Sequence, residues 1–176
     1  MNMTIKQFCD KHWACKEGMN WATENCKDMD EVWEKTKPEW LIWVATRKGV
    51  LTDKELCLFA VWCARQVQHL MTDDRSIAAI DVAERHANGD ATDEELNAAR
   101  DAARVVAWAA NNTSEAAEAA MAAYRVAIYA TWGVAVAASY AASYVASEVA
   151  DEVARVTAME AQAEYLRKNC KPNFNL

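Results

Sequence analysis

Four potential metal ligands lie near the start of the chain: Cys9, His12, Cys15 and Cys26. Zinc prefers thiolates and imidazoles, and four of them would complete a tetrahedral site. On one helix, however, positions three and six residues apart spread over ~120° and rise ~9 Å. A single ion could bind them only if the helix were interrupted. Two core cysteines and a surface histidine are the simpler interpretation, and we expect no metal or other cofactor.

A second polar group consists of His69, Asp73 and Asp74, with His86 further along. These residues could form a metal-dependent hydrolytic site, in which a bound ion activates water. They also suit helix ends, because aspartate caps N-termini and histidine near a C-terminus interacts favourably with the helix dipole. Cys63 lies six positions before His69, too far along a helix for a thiol–base pair. No nucleotide-binding, protease or esterase motif occurs. We therefore predict a protein that is not an enzyme.

Five of the eight tryptophans lie within the first 49 residues. Aromatic residues are enriched at the hot spots of protein interfaces, which makes Trp13, Trp21 and Trp33 candidate contacts for a partner. Short helices contribute little core each, so the same indoles could instead supply the buried surface of this region. Both interpretations stay open at this stage.

The elements that would position these residues are predicted from caps and breakers. Residues that suit helix starts are Thr4, Asp28, Pro38, Thr52 and Thr92, and the last two begin capping boxes that end in Glu55 and Glu95. We expect short helices over 5–17, 20–26 and 39–48, the first ended by Gly18 and the last by Gly49. Longer helices follow over 53–71, 75–88 and 93–110.

The second half of the chain is rich in alanine. Small residues recur every fourth position and form a ridge along one helix face: Ala138, Ala142, Ala146, Ala150, Ala154 and Ala158. Such ridges allow close helix packing, with large aromatic side chains filling the space opposite, as we expect for Tyr124, Tyr129, Trp132, Tyr140 and Tyr144. One helix over 113–169 would be ~85 Å long, so we place a break near Gly133.

Composition limits the class of protein. The chain has 176 residues and a net charge of -7, which argues against nucleic acid and suits a partner with a basic surface. Six cysteines without an N-terminal leader favour a reducing cytoplasm. Residues 126–147 carry no charge, but they are mostly alanine and serine, so a buried bundle helix is a better interpretation than a membrane span.

The stretch Trp62 to Gly89, followed by repeated alanine pairs, resembles the alanine-rich immunity protein family of bacteria and phages. The resemblance extends over roughly residues 38–168 and includes Phe59 to Leu70, Asp74-Arg75-Ser76 and Ala87-Asn88-Gly89. It implies an all-helical, non-enzymatic protein that neutralises a toxin or another defence effector by binding it. The tryptophan-rich first 37 residues fall outside the resemblance and are a candidate specificity region.

We therefore predict one all-α domain over residues 1–176, a helical bundle. Short tryptophan-rich helices (1–49) pack on helix hairpins (50–112) and on long, antiparallel alanine-rich helices (113–170). The expected function is protein binding or inhibition, without membrane or nucleic-acid contacts. A hydrolase using His69, Asp73 and Asp74 is one alternative. A structural homo-oligomer, such as a homodimer, is the other.

Overall fold

The computed structural model describes residues 3–109, 120–127 and 152–175, and within these ranges every regular element is a helix. The predicted all-α class is thus confirmed. The helices are α1 (Ile5–His12), α2 (Lys16–Asn25), α3 (Met29–Lys35), α4 (Pro38–Ala45), α5 (Asp53–Gln66), α6 (Asp74–Asn88), α7 (Asp93–Ala109), α8 (residues 120–127) and α9 (Glu152–Asn169). A 3-10 turn, Gln68–Leu70, follows α5.

Most helix starts follow the predicted capping chemistry. The N-cap side chains accept hydrogen bonds from backbone N–H groups of the first turn at Thr4, Asp28, Thr52 and Asp73. Pro38 occupies the first turn of α4, where its missing N–H has no helical partner to lose. Gly89 ends α6 with a left-handed φ of 84°. These starts and stops depend on residues that are close together in the chain, so the local sequence could predict them.

The predicted boundary at Gly18 is wrong. Helix α1 already ends at His12, where Trp13 adopts the left-handed conformation and donates its N–H to the Cys9 carbonyl. Gly18 lies in the first turn of α2 and donates its N–H to the Cys15 sulfur at 3.3 Å. A Cβ at Gly18 would lie 3.7 Å from the Trp40 ring. That distance is an ordinary van der Waals contact, whereas the same Cβ would lie 3.3 Å from the Cys15 sulfur, so the tighter constraint at Gly18 comes from Cys15.

Two further helices are shorter than predicted. Helix α4 ends at Ala45, because the Thr46 hydroxyl and the Arg47 side chain bind the last carbonyls of the helix. Gly49 instead lies in the following turn, with φ of 88°. Helix α5 ends at Gln66 and continues as the 3-10 turn, although the predicted helix extended to Met71.

Helix α5 lies at the centre of the bundle. On its inner face Leu56, Phe59, Ala60 and Cys63 are buried, and Val67 is partly buried against the core. The helix packs against α6 and α9, α6 packs against α7, and α9 also packs against α4. Helix α9 therefore joins the longer helices to the tryptophan-rich region.

The segment after α9 completes the core of the first helices. Phe174 is 2% exposed and makes edge contacts with Phe8 at 5.9 Å and Trp33 at 6.5 Å between ring centroids. The Asn173 N–H donates to the Val50 carbonyl at 2.7 Å, and the Phe174 carbonyl accepts from the Met3 N–H at 2.9 Å. Two ends of the sequence are thereby held together by packing and by backbone hydrogen bonds.

Several predictions for the alanine-rich half fall outside the described residues. These are the break near Gly133, the ridge positions Ala138, Ala142, Ala146 and Ala150, and the aromatics Tyr129, Trp132, Tyr140 and Tyr144. Within the described ranges, Ala158 and Tyr124 are partly buried against the core. No described helix is long and apolar enough to cross a membrane.

Candidate functional site

Helices α1 to α4 surround a surface cavity of about 350 Å³, which we call the tryptophan pocket. Most of its walls are aromatic, aliphatic or thiol side chains: Phe8, Cys9, Trp13, Cys15, Trp21, Ala22, Met29, Val32, Trp40, Trp43 and Val44. Its volume is near the lower end of the ~300–1,000 Å³ typical of ligand pockets. It therefore has room for one or two side chains.

The pocket walls come from neighbouring short helices. Trp21 of α2 and Trp40 of α4 lie 5.7 Å apart between ring centroids, with their planes at 56°. Trp43, one helical turn after Trp40, meets Phe8 of α1 edge-on at 6.2 Å and 84°. Edge-to-face aromatic pairs are favourable because the ring edge is positive and the face negative. The spacing of three residues thus places two indoles of α4 on the same wall.

Two cations of the protein already rest on these indoles. The Lys37 ammonium lies 4.1 Å from the Trp40 ring centroid, and the Arg47 guanidinium carbon lies 4.7 Å from that of Trp43. Arg47 also donates to the Trp43 carbonyl at 3.0 Å. These contacts are cation–π interactions, in which the negative ring face attracts positive charge.

Among the described residues that line the pocket, Glu39 is the only charged one. It is exposed in the first turn of α4, and its carboxylate forms no hydrogen bond or ion pair with the described part of the chain. The rim of an apolar cavity therefore carries one carboxylate that is available to a ligand.

Trp13 stands at the pocket mouth in an unusual conformation. It is 91% exposed and has φ 58° and ψ 46°, the only positive φ of a non-glycine residue within the described ranges. A bulky residue in the left-handed region costs roughly 1–3 kcal/mol, and such strain clusters at functional sites. An indole this exposed makes few stabilising contacts within its own chain.

The three predicted partner-contact residues have different environments. Trp13 and Trp21 both line the pocket, whereas Trp33 is 2% exposed and contacts Phe174 in the core. The prediction that Trp33 contacts a partner is therefore wrong. It is a core residue that a partner could not reach without unfolding α3. Sequence reasoning missed Glu39 and the role of Gly18 in the pocket wall. Neither carries a recognisable local motif.

The four candidate zinc ligands, Cys9, His12, Cys15 and Cys26, do not form a metal site within the described residues. No three His, Cys, Asp or Glu side chains in the described residues are placed to bind one metal ion. Cys15 is exposed and caps α2 through its sulfur, while Cys9 and Cys26 are buried. Burial raises the pKa of the Cys9 thiol, and the neighbouring Asp10 adds to this. Burial likewise raises the pKa of the Cys26 thiol, so Cys9 and Cys26 stay protonated and serve as core side chains.

His12 packs its ring 4.6 Å from the ring of Phe8. Burial lowers the pKa of its imidazole, and the nearby Lys11 and Arg47 lower it further. Its Nε2 atom is buried and has no hydrogen-bond partner among the described residues. The histidine is thus a neutral aromatic neighbour of Phe8.

The residues of the alternative hydrolytic site are also dispersed. Asp73 caps α6 and forms a two-pronged ion pair with Arg75, at 2.9 and 2.7 Å, which lowers the pKa of its carboxyl to about 2. His86 binds Asp93 at 2.8 Å, and it lies thirteen residues from Asp73, or ~20 Å along a helix. Asp73 and His86 therefore stabilise helix ends. No described cluster joins His69, Asp73 and Asp74 in a metal site.

Comparison with known protein families, curated proteins and solved structures found no match to this chain. The described fold and pocket define its class by themselves: an all-helical protein with an aromatic-walled surface cavity. Any more specific assignment depends on the chemistry of that cavity.

Proposed function

We propose that this chain is a non-enzymatic binding protein that blocks another protein, either a toxin or a host defence effector. The main support is Trp13, a strained and almost fully exposed indole at the mouth of an apolar pocket. Binding would bury that indole and offset the strain that the free protein carries.

The surroundings of Trp13 fit a binding surface. Hot-spot residues are enriched in tryptophan, and they lie in or beside pockets from which water is expelled. Trp21, Trp40 and Trp43 form the walls next to it, so one contact would desolvate several indoles. Their large, rigid rings lose little conformational entropy on binding.

An overall acidic chain would attract a basic partner. Long-range attraction of this kind raises the association rate more than the final affinity. The first 49 residues contain eight Lys or Arg and eight Asp or Glu, so the whole excess of seven negative charges lies in residues 50–176. Charge would therefore guide the partner, and the neutral pocket region would hold it.

The proposal is tested in two steps with the wild-type chain, Trp13→Ala and Val105→Ala. Val105 is 54% exposed on α7 and does not line the tryptophan pocket, so its truncation controls for the loss of an exposed apolar side chain elsewhere. Immobilised proteins are first used to capture ligands from bacterial lysate at low salt. The captured protein is then purified, and its activity is measured with each variant.

We expect the wild type and the Val105 variant to inhibit equally, whereas the Trp13 variant weakens inhibition about 30-fold. This corresponds to a hot-spot loss of ~2 kcal/mol. The proposal fails if no protein is retained specifically at low salt, or if the captured protein retains full activity when bound.

A further inference from the structure

We propose that the tryptophan pocket receives one aromatic or branched aliphatic side chain of a partner protein, with a lysine or arginine of the same segment beside Glu39. This inference rests on the proposed function and specifies the partner's chemistry. It follows from the size of the cavity, the composition of its walls and the one carboxylate on its rim.

The size and walls of the pocket determine the apolar part of this ligand. A cavity of about 350 Å³ between helices is small for an extended peptide and suits a single anchor side chain. The Trp21 and Trp40 rings diverge at 56° and form a corner, so an inserted ring would meet one of them at a tilted or edge-on angle. Both arrangements are favourable between aromatic rings.

Glu39 determines which charge the partner segment should carry next to its anchor side chain. Glu39 is the only charged one among the described residues of the pocket lining, and Lys37 and Arg47 are held on the indole faces of Trp40 and Trp43. A basic residue flanking the anchor could pair with this carboxylate, whereas an acidic one would meet an unneutralised like charge. Residues 1–49 carry no net charge, so the expected preference for a basic residue rests on Glu39, the charged residue of the described lining.

The test uses three capped dipeptides that share an N-terminal phenylalanine. The first is acetyl-phenylalanyl-lysine amide, and in the other two alanine or glutamate replaces the lysine. Phenylalanine does not interfere with tryptophan emission, so each titration is followed by the intrinsic fluorescence of the whole protein. The proteins are the wild type, Glu39→Gln and Glu34→Gln. Glu34 is an exposed glutamate of α3 that does not line the pocket, which makes it a matched control.

We expect the lysine dipeptide to bind about two- to fivefold more tightly than the alanine one, as for a partly exposed ion pair. The glutamate dipeptide should be the weakest. Glu39→Gln should make the three affinities equal, and Glu34→Gln should leave their order unchanged. Gly18→Val, which adds a side chain against Cys15 and Trp40, should weaken all three.

The inference is overturned if none of the dipeptides gives a saturable change, or if the wild type and the Glu39 variant show the same order. Self-association that Trp13→Ala abolishes would assign the pocket to a second copy of the chain and would also overturn it. If none of the dipeptides binds but the wild type still inhibits a captured protein in a Trp13-dependent way, only this inference is refuted. Dipeptide binding without any captured partner would refute only the proposed function.

Discussion

Trp13 combines two features that are unfavourable in an isolated protein, an indole in water and a left-handed backbone. Glycine or asparagine is the usual residue at such helix ends, because a Cβ in the left-handed region clashes with the backbone. The amide of Trp13 still binds the Cys9 carbonyl, so the residue ends α1 correctly despite this cost. The proposed function would account for a tryptophan at this position, because a bound partner would cover the indole.

This interpretation leads to a prediction for Trp13→Gly. The free energy of unfolding should stay equal or rise by up to ~1 kcal/mol, because relief of the left-handed strain outweighs the loss of few side-chain contacts. The measurement is urea unfolding followed by circular dichroism. Inhibition of the captured partner should fall in the same variant. A destabilisation above ~1 kcal/mol would show that the indole supports the fold.

The polar residues show why single positions are hard to assign from sequence. Cysteine and histidine are ligand types in zinc sites, yet they are also common core and helix-end residues. Cys63 lies in the core, where it is wholly buried, and burial raises the pKa of its thiol. The turn at Trp13 does interrupt the helix between His12 and Cys15, yet no three of the candidate ligands are placed to bind one ion.

At the scale of the helices, starts were more predictable than ends. Capping boxes depend on two side chains three residues apart, so Thr52 with Glu55 and Thr92 with Glu95 could be recognised directly. Ends depend on which side chains reach the last carbonyls, as Arg47 does at α4. The pocket was not predictable at all, because its walls come from four helices whose relative placement depends on packing.

The two capping boxes offer a matched comparison. Glu55 accepts from the Thr52 N–H at 2.9 Å through one oxygen and from the Lys171 N–H at 2.9 Å through the other. Glu95 makes the same bond to Thr92 but pairs with Arg85. Glu55→Ala should therefore lower the hydrogen-exchange protection of the Lys171 amide, whereas Glu95→Ala should not. Equal protection in both variants would mean that Glu55 does not anchor the segment after α9.

The same contacts give a pH dependence. Burial alone would raise the pKa of Glu55, but the hydrogen bonds from Lys171 and Thr52 outweigh it and lower the pKa below its ordinary value of 4.5. Its contribution to stability is therefore complete above pH 4.5 and is lost as the pH falls below that value. Protection of the Lys171 amide should decline in this range in the wild type and vary less in Glu55→Ala.

At the scale of the whole molecule, α9 connects the regions that sequence analysis treated separately. Arg167 donates to the Trp33 carbonyl at 3.2 Å and to the Thr36 carbonyl at 2.7 Å, across more than 130 residues of chain. These bonds cap the end of α3 from a distant helix. Such long-range contacts leave no local trace in the sequence, which is why the all-α class could be predicted and this connection could not.

Arg167 and its neighbour Lys168 provide the corresponding test. Arg167→Met should lower the free energy of unfolding by ~2 kcal/mol, because two buried carbonyls lose charge-assisted hydrogen bonds. Lys168→Met removes only an exposed pair with Glu164 and should change stability little. Urea unfolding of both variants makes the comparison. A similar loss in both would show that helix charge, and not the connection to α3, is responsible.

The position of Phe174 has a consequence for the timing of synthesis. Phe8 packs against Phe174, which is added to the growing chain 166 residues later. At ~5–20 residues per second this is a delay on the order of ten to thirty seconds. During that interval the core of the first helices is incomplete, and apolar side chains that Phe174 later covers are exposed to solvent. We therefore expect chaperones that hold apolar segments to associate with nascent chains, and to leave once Phe174 is inserted.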